Sequence, residues 1–206
     1  MIDFDLGGME RREVYQLLTR VVAPRPIAFV STLDPEGIGN LAPFSFFSMG
    51  GLNPPSLVFC PVNDREGRVK DTVNNILATG EYVVNVVTRS MVDKMNQCSW
   101  SYPPAVNEME ASGFTALPSL KVAPPRVAES PLQIECRLYQ VLRHGEGPLA
   151  SNYVIGEALT LHASESILDE GLPDARRLDL VGRLGGDWYC HLRPESLFEL
   201  ERPKGP

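Results

Sequence analysis

The spacing of apolar positions predicts that the chain opens with one amphipathic helix. Residues 9–20 contain apolar side chains at helical spacing, with Val14, Leu17 and Leu18 followed by Val21. Two prolines follow within a few residues and stop the helix, because proline cannot continue a helical hydrogen-bond ladder. Residues 1–23 are therefore predicted to form a helical N-terminal extension.

Short β-branched or alternating runs then predict six or seven strands. Residues 27–33 and 41–47 flank an Asp-Pro-Glu-Gly turn and are predicted to pair as a hairpin. The further predicted strands cover residues 57–62, 82–87, 132–142, 153–162 and 188–192. Strands and helices do not alternate as they do in a doubly wound sheet. The pattern predicts a mainly β fold, an antiparallel barrel with short peripheral helices.

Three short helices are predicted between the strands, at residues 71–80, 90–97 and 107–112. In the first of them, Asp71 or Thr72 is the expected N-cap and Gly80 lies just past the end. Its expected buried face consists of Val73, Ile76 and Leu77. Residues 101–130 are rich in Pro, Ser and Glu and form a long excursion, a kind of loop that is often functional. No domain boundary is visible, so residues 1–206 are predicted to form a single domain.

Composition excludes several classes of protein. The formal net charge of −7 argues against a general nucleic-acid binder, which needs cations to neutralise phosphates. No apolar run approaches the roughly 20 residues of a membrane span, and the N-terminus does not resemble a signal peptide. The four cysteines and three histidines are scattered, which predicts reduced thiols in or near the core and no metal site. A cytoplasmic location is expected.

A first candidate site lies before the predicted helix at residues 71–80. Arg68 and Lys70 precede a helix N-terminus, where free N–H groups and the helix dipole favour an anion, and Thr72 adds a hydroxyl. The alternative is a solvated turn and an ordinary helix cap. Spacing alone favours that alternative.

Two further runs are candidates for ligand contact. Residues 40–48 set Ser45 and Ser48 among aromatic residues, and Pro43 interrupts a predicted strand, as it does at sheet edges. This mixture suits a planar heteroaromatic ligand. The alternative is that the phenylalanines are core residues, and for each phenylalanine taken singly the pattern favours that alternative. At residues 183–186, paired glycines follow Arg183 and allow close approach to a ligand or another chain, or simply form a turn.

Eight short motifs occur in order between residues 24 and 189. They are PRPIAFVST (24–32), NLAPFSFFS (40–48), NPP (53–55), KDT with NI (70–76), TGEYVVN (79–85), MNQCS (95–99), PRVAESP (125–131) and RLGG (183–186). With these motifs the chain resembles the flavin reductase-like, FMN-binding split-barrel family. That family includes NAD(P)H:flavin reductase components of two-component monooxygenases, and flavoredoxins.

The resemblance implies a six-stranded antiparallel split barrel that forms a homodimer, with FMN near the subunit interface. Lys70 and Thr72 would hold the phosphate, with Asp71 between them. Ser45 and the backbone around it would line the flavin. Together, the cofactor contacts that the resemblance implies are Arg25, Pro26, Pro43, Phe44, Ser45, Phe46, Lys70, Asp71, Thr72, Asn96, Ser99 and Arg183.

The leading hypothesis is therefore an FMN-dependent oxidoreductase that takes a hydride from NADH or NADPH and passes electrons to a monooxygenase or another acceptor. The flavin performs this chemistry, so no catalytic acid or base is assigned. The alternatives are a non-enzymatic FMN-binding electron carrier and a cofactor-free interaction module built on the same barrel.

Overall fold

A computed structural model describes residues 1–103, 105–203 and 205 of the chain. The α-helices within these residues are α1 (Arg11–Val21), α2 (Asp71–Thr79), α3 (Val92–Gln97) and α4 (Glu108–Ala111). Short 3-10 turns occur at Leu6–Gly8, Arg89–Met91, Glu165–Ile167 and Pro194–Ser196. None of the described helices has the length and apolar character of a membrane span.

The strands build one large antiparallel sheet and three small pairs. They are β1 (Ala28–Leu33), β2 (Gly39–Phe44), β3 (Phe47–Leu52), β4 (Pro55–Phe59), β5 (Glu81–Val86), β6 (Ala116–Leu117), β7 (Arg126–Val127), β8 (Leu132–His144), β9 (Ser151–Ala163), β10 (Leu168–Asp169), β11 (Leu172–Pro173), β12 (Val181–Arg183) and β13 (Tyr189–His191). The large sheet has the order β2-β1-β5-β8-β9-β4-β3. The pairs are β6–β7, β10–β11 and β12–β13.

The two end strands of this sheet, β2 and β3, are consecutive in the chain and only two residues separate them. The Cα atoms of Phe44 and Phe47 can therefore lie at most roughly 11 Å apart. The sheet must curl until its ends approach each other. The predicted mainly β, antiparallel split barrel is confirmed.

The predicted return strand at residues 41–47 is wrong at its end. Strand β2 stops at Phe44, and the chain crosses to the opposite end of the sheet through Ser45 and Phe46 before β3 begins. Pro43 is paired with Phe29 on the end strand, as expected for a proline in a sheet. Strand β3 escaped prediction because its sequence, FSMGGL, has no alternation and is mostly exposed.

Helix α2 begins at Asp71, within the predicted range, but its N-cap differs from the predicted one. Its N-cap is Lys70, in extended conformation and without a side-chain cap, whereas Asp71 or Thr72 was the expected cap. Gly80 ends the helix in the left-handed region at φ 75°, as predicted. Leu77 is 46% exposed and does not belong to the buried face.

The core has two layers on opposite faces of the sheet. Strand β1 is buried on both faces, so Val30 points into the barrel with Phe59 and Tyr82, whereas Phe29 points outward. The outer layer lies under α3 and α4 and includes Met95. This double burial explains why β1 is a continuous apolar run rather than an alternating one.

The Pro-rich segment at residues 101–130 is held against the sheet by acceptor side chains. Glu135, fully buried on β8, accepts hydrogen bonds from the backbone N–H groups of Leu120 (2.8 Å) and Lys121 (2.6 Å). Its Oε1 atom also lies 2.6 Å from Nε2 of His162. The N–H of Val127 donates to Asn85 Oδ1 at 2.8 Å. The segment is thereby fixed at several points.

Candidate functional site

Two neighbouring pockets form one groove beside Pro43, and both are lined by Pro43 and Ser99. The large pocket measures about 670 Å³ and lies between the start of α2 and the segment that follows α3. The small pocket measures about 250 Å³ and lies between α1, α3 and β12. The groove is therefore elongated, with two ends of different chemistry.

The large pocket contains the start of α2. Helix geometry leaves the first N–H groups of α2 without intrahelical partners, and no side chain caps them. Thr72 is only 1% exposed, and its hydroxyl oxygen accepts a hydrogen bond from Asn40 Nδ2 at 2.8 Å, so its own proton is available to donate. Lys70 lines the same pocket. These donors suit an anion.

The structure distinguishes the two candidate cations. Arg68 donates to Asp64 at 2.7 Å and to Glu66 at 3.3 Å, and its side chain is 75% exposed. Within residues 1–103, 105–203 and 205, no carboxylate lies within 4 Å of the Lys70 ammonium. The unneutralised charge at this end of the groove therefore belongs to Lys70.

Three carboxyl groups also line the large pocket, those of Asp64, Asp71 and Glu108. Glu108 is buried, and its Oε2 atom accepts a hydrogen bond from the N–H of Leu41 at 3.1 Å. Burial raises the pKa of Glu108, and the nearby charge of Asp71 raises it further. A raised pKa makes Glu108 easier to protonate than a solvent-exposed glutamate.

The small pocket combines apolar walls with a few polar groups. Its apolar lining comes from Ile27, Pro43 and Met95. Two aromatic rings also line it, Tyr15 on α1 and Tyr189 on β13. The polar lining consists of Ser45, Asn96, Ser99 and Arg183. Such a pocket suits a planar ring with polar edges.

Arg183 is fixed at the rim of the small pocket. Its guanidinium donates to the carbonyl of Gly186 at 2.6 Å and lies 4.4 Å from the ring centroid of Tyr189. A surface ion pair of Arg183 with Asp179 or Asp187 would be the alternative to a ligand contact. In the part of the chain that the structure describes, no carboxylate lies within 4 Å of Arg183, and Asp179 is bonded to His191 instead.

Arg25 lies behind the small pocket and does not line it. The side chain is buried and donates to the carbonyls of Thr19 (2.7 Å), Val22 and Leu184 (3.0 Å). Its Nε atom also contacts the Ser45 hydroxyl at 3.4 Å. Burial lowers the pKa of Arg25. Arg25 thus joins α1, the loop after β12 and Ser45.

Nine of the twelve predicted contacts line one of the two pockets: Pro43, Phe44, Ser45, Lys70, Asp71, Thr72, Asn96, Ser99 and Arg183. Arg25, Pro26 and Phe46 line neither pocket. Pro26 is exposed, and the ring of Phe46 packs at a tilt against Tyr15 with centroids 6.4 Å apart. The cofactor contacts that the resemblance implies for all twelve residues stay predictions.

The first of the paired glycines, Gly185, serves the packing of the chain itself. A Cβ atom on Gly185 would lie 2.3 Å from Cγ and 3.1 Å from Cα of Arg20, so only glycine allows this loop to approach α1. The sequence left open a close approach to a ligand or another chain, or a simple turn. Sequence reasoning missed Asn40, Tyr15 and Trp100 as pocket residues, since no local pattern reveals that distant segments converge.

The comparisons with known proteins decide the family. The profile of the flavin reductase like domain matches residues 20–178. The chain belongs to the flavin reductase-like family. A relative of this flavin reductase-like protein, an uncharacterized protein from Aquifex aeolicus, is 40% identical over 190 residues, which cover 91% of this chain and 94% of the relative.

Solved structures agree with this assignment. Nitrilotriacetate monooxygenase component B from Bacillus cereus is 32% identical with a TM-score of 0.91, and the match covers 97% of this chain and 98% of that one. The 2-nitrobenzoate 2-nitroreductase NbaA from Pseudomonas fluorescens is 31% identical with a TM-score of 0.87, covering 98% and 97%. A Shewanella frigidimarina structure with a split barrel domain has a TM-score of 0.83 at 25% identity, covering 98% and 100%.

Proposed function

We propose that this flavin reductase-like protein binds FMN and uses NADH or NADPH to reduce it. The observation that carries the proposal is that two pockets of different chemistry adjoin, since Pro43 and Ser99 line both of them. An anion site with Lys70 and Thr72 lies at one end, and an apolar pocket suited to a planar ring lies at the other. A ring joined to a phosphate matches that combination of chemistries.

Each end of the groove has a distinct part in this proposal. Lys70, Thr72 and the first N–H groups of α2 hold the phosphate, and Asn40 orients the Thr72 hydroxyl. Ser45, Asn96 and Ser99 hold the polar edge of the ring. When bound, the flavin supplies the chemistry, by accepting a hydride at its N5 atom. The protein binds and orients the ring and places positive charge near it.

The electron acceptor is proposed to be a separate component. The Bacillus cereus protein of similar structure is a component of a monooxygenase. We therefore propose a monooxygenase, or another acceptor, as the partner of the reduced flavin.

The test of this proposal begins with the purified protein. Its visible spectrum is expected to show a bound flavin, and mass spectrometry of the released chromophore should identify FMN. Addition of NADH or NADPH with free flavin should give rapid, catalytic nicotinamide oxidation. A yellow protein without that activity would indicate an electron carrier, and a folded, colourless protein that does not take up FMN would indicate an interaction module.

Arg183→Met is expected to lower the reduction potential of bound FMN. A cation at the rim of the ring pocket stabilises negative charge that develops on reduction. A decrease of about 30 mV would correspond to roughly 1.4 kcal/mol for a two-electron couple. Spectroelectrochemistry measures it, with Arg143→Met as control, since Arg143 is exposed on β8 and lines neither pocket. If the reduction potential of FMN bound to Arg183→Met equals that of the wild type, Arg183 has only a structural role.

We also propose a homodimer. Several apolar side chains near the N-terminus are exposed, among them Phe4 (58%), Val21 (66%) and Val22 (59%). Exposed apolar surface of this kind favours association. Sedimentation at micromolar concentration should therefore give a dimer, and Val21→Glu should shift it toward monomer. Leu172→Glu, at a separate exposed site on β11, is the control. A flavin-loaded monomer would contradict the proposal.

A further inference from the structure

A pair of buried amide side chains joins the loop before α2 to the β8–β9 hairpin. This loop, residues 61–70, is here called the α2 loop, and it ends at Lys70, the N-cap of the helix. Asn63 lies in the loop and Asn152 lies on β9, and they are only 8% and 2% exposed. The Nδ2 group of Asn152 donates to Oδ1 of Asn63 at 2.9 Å. Neither amide lines the groove, so the proposed function leaves both without a part.

The two amides also bind the backbone at three places. Nδ2 of Asn63 donates to the carbonyl of Gly67 at 3.2 Å, inside the loop, and to the carbonyl of Gly147 at 3.0 Å, in the turn of the hairpin. Nδ2 of Asn152 donates to the carbonyl of Pro61 at 3.2 Å. Each amide therefore uses both of its N–H bonds. The pair fixes the start of the α2 loop, its bend and its distance from the hairpin.

The bend of the α2 loop packs directly against the hairpin turn. Gly67 has a φ of 84°, and a Cβ atom on it would lie 3.1 Å from Cα and from the carbonyl carbon of Gly147. Just after the bend, the N–H of Arg68 donates to Oδ1 of Asp64 at 2.7 Å and closes the turn. Lys70 follows two residues later. Because the turn is closed, a shift of the bend away from the hairpin would move the backbone of Lys70 as well.

We propose that Asn63 and Asn152 are positioning residues that hold Lys70 at the anion-binding end of the groove. The lysine side chain is flexible, so the place of its ammonium group depends on where the backbone begins. On one side α2 fixes that backbone, since the carbonyl of Lys70 accepts the N–H of Val73 at 2.9 Å. On the other side only the path of the α2 loop fixes it. This inference rests on the proposed function, because it concerns the site given to the FMN phosphate.

The first measurement compares the affinities of Asn63→Ala for FMN and for riboflavin, which lacks the phosphate. The dissociation constant of FMN should rise about 3- to 10-fold, at the lower end of coupling within one hydrogen-bond network, and that of riboflavin should not change. Asn85→Ala is the matched control. Asn85 is fully buried, its Nδ2 group donates to the carbonyl of Phe29 at 3.0 Å, and it lines neither pocket. This control should lose stability but keep the wild-type ratio of the two dissociation constants.

The second measurement asks whether Asn63 acts through Lys70. In a Lys70→Ala background the ammonium group is gone, so Asn63→Ala should not weaken FMN binding any further. Two residues that act independently would instead give losses that add. Additive losses would overturn the inference, because Asn63 would then affect the phosphate by a route that does not include Lys70.

Two glycine variants repeat the test without removing a buried side chain, should Asn63→Ala fail to fold. Gly67→Ala crowds the hairpin, whereas a Cβ atom on Gly147, which has a φ of 71°, would meet no other described atom within 4 Å. Both substitutions strain a backbone with positive φ, but only Gly67→Ala pushes the α2 loop away from the hairpin. FMN affinity should therefore fall selectively in Gly67→Ala and not in Gly147→Ala.

The outcomes separate this inference from the proposed function. A wild type that binds FMN no more tightly than riboflavin would overturn the proposed phosphate site, and the inference with it. A wild type that prefers FMN, with the same preference in Asn63→Ala and Gly67→Ala, would overturn the inference alone. Equal losses of FMN and riboflavin in those variants would also overturn it, as would an equal change of the ratio in Asn85→Ala or Gly147→Ala.

Discussion

Replacing Glu135 by alanine is expected to lower the free energy of unfolding by about 3–5 kcal/mol, the cost of breaking a buried charged cluster by removing one partner. The substitution leaves the N–H groups of Leu120 and Lys121 without their acceptor and removes the partner of His162. It therefore removes one of the attachments of the Pro-rich segment to β8, while those through Gln133 remain. Chemical denaturation measures the loss.

Glu129→Ala is the matched control. Glu129 also accepts hydrogen bonds from this segment, at 3.2 Å from the N–H and 3.1 Å from the hydroxyl of Thr115, but it is exposed. Water can replace an exposed acceptor, so a loss below about 1 kcal/mol is expected. Equal losses for both variants would show that burial of Glu135 does not determine its contribution.

The contribution of Glu135 should also depend on pH. Burial alone raises the pKa of Glu135, but the hydrogen bonds from Leu120, His162 and Lys121 outweigh it and hold the pKa below its usual value. A depressed pKa means that the stabilisation is fully present above the unfolded-state pKa of about 4.3. It is lost as the pH falls through the lower, folded-state value. The difference in stability between wild type and Glu135→Gln should therefore shrink on acidification below about pH 4.

Lys70→Ala is expected to weaken FMN binding by about 1.5–3 kcal/mol, the range for hydrogen bonds to charged groups. That loss corresponds to roughly 10- to 150-fold in the dissociation constant. Riboflavin lacks the phosphate, so its affinity should be nearly unchanged. Quenching of flavin fluorescence gives both dissociation constants.

Arg68→Ala provides the control for Lys70. Arg68 is a cation only two residues away and lines the same pocket, but Asp64 and Glu66 neutralise it. Its replacement should change FMN affinity by less than about 0.5 kcal/mol. If Arg68→Ala weakens FMN binding as much as Lys70→Ala does, the overall positive charge of the pocket explains FMN binding, and a specific contact with the phosphate does not. Equal losses of FMN and riboflavin in Lys70→Ala would remove the phosphate role altogether.

Local sequence patterns predicted most elements of this fold. Residues 27–33 are β-branched and apolar, and the Asp-Pro-Glu-Gly turn after them sends the chain back, so the β1–β2 hairpin follows from them. Gly80 marked the end of α2, because glycine adopts a positive φ at little cost. The residues in β3 carry no such signal, and that strand exists because β4 pairs with it.

The sequence by itself determined the antiparallel fold class, because that follows from short-range periodicity and residue type, and it contained the family motifs. The cofactor contacts came only from the resemblance that those motifs carry, and they stay predictions. Only the tertiary structure decided that Lys70 rather than Arg68 carries the free charge, since Asp64 neutralises Arg68. It also decided that Arg25 lies behind the groove. The guanidinium of Arg25 bonds the carbonyl of Leu184, 159 residues away, and no local pattern encodes a contact of that range.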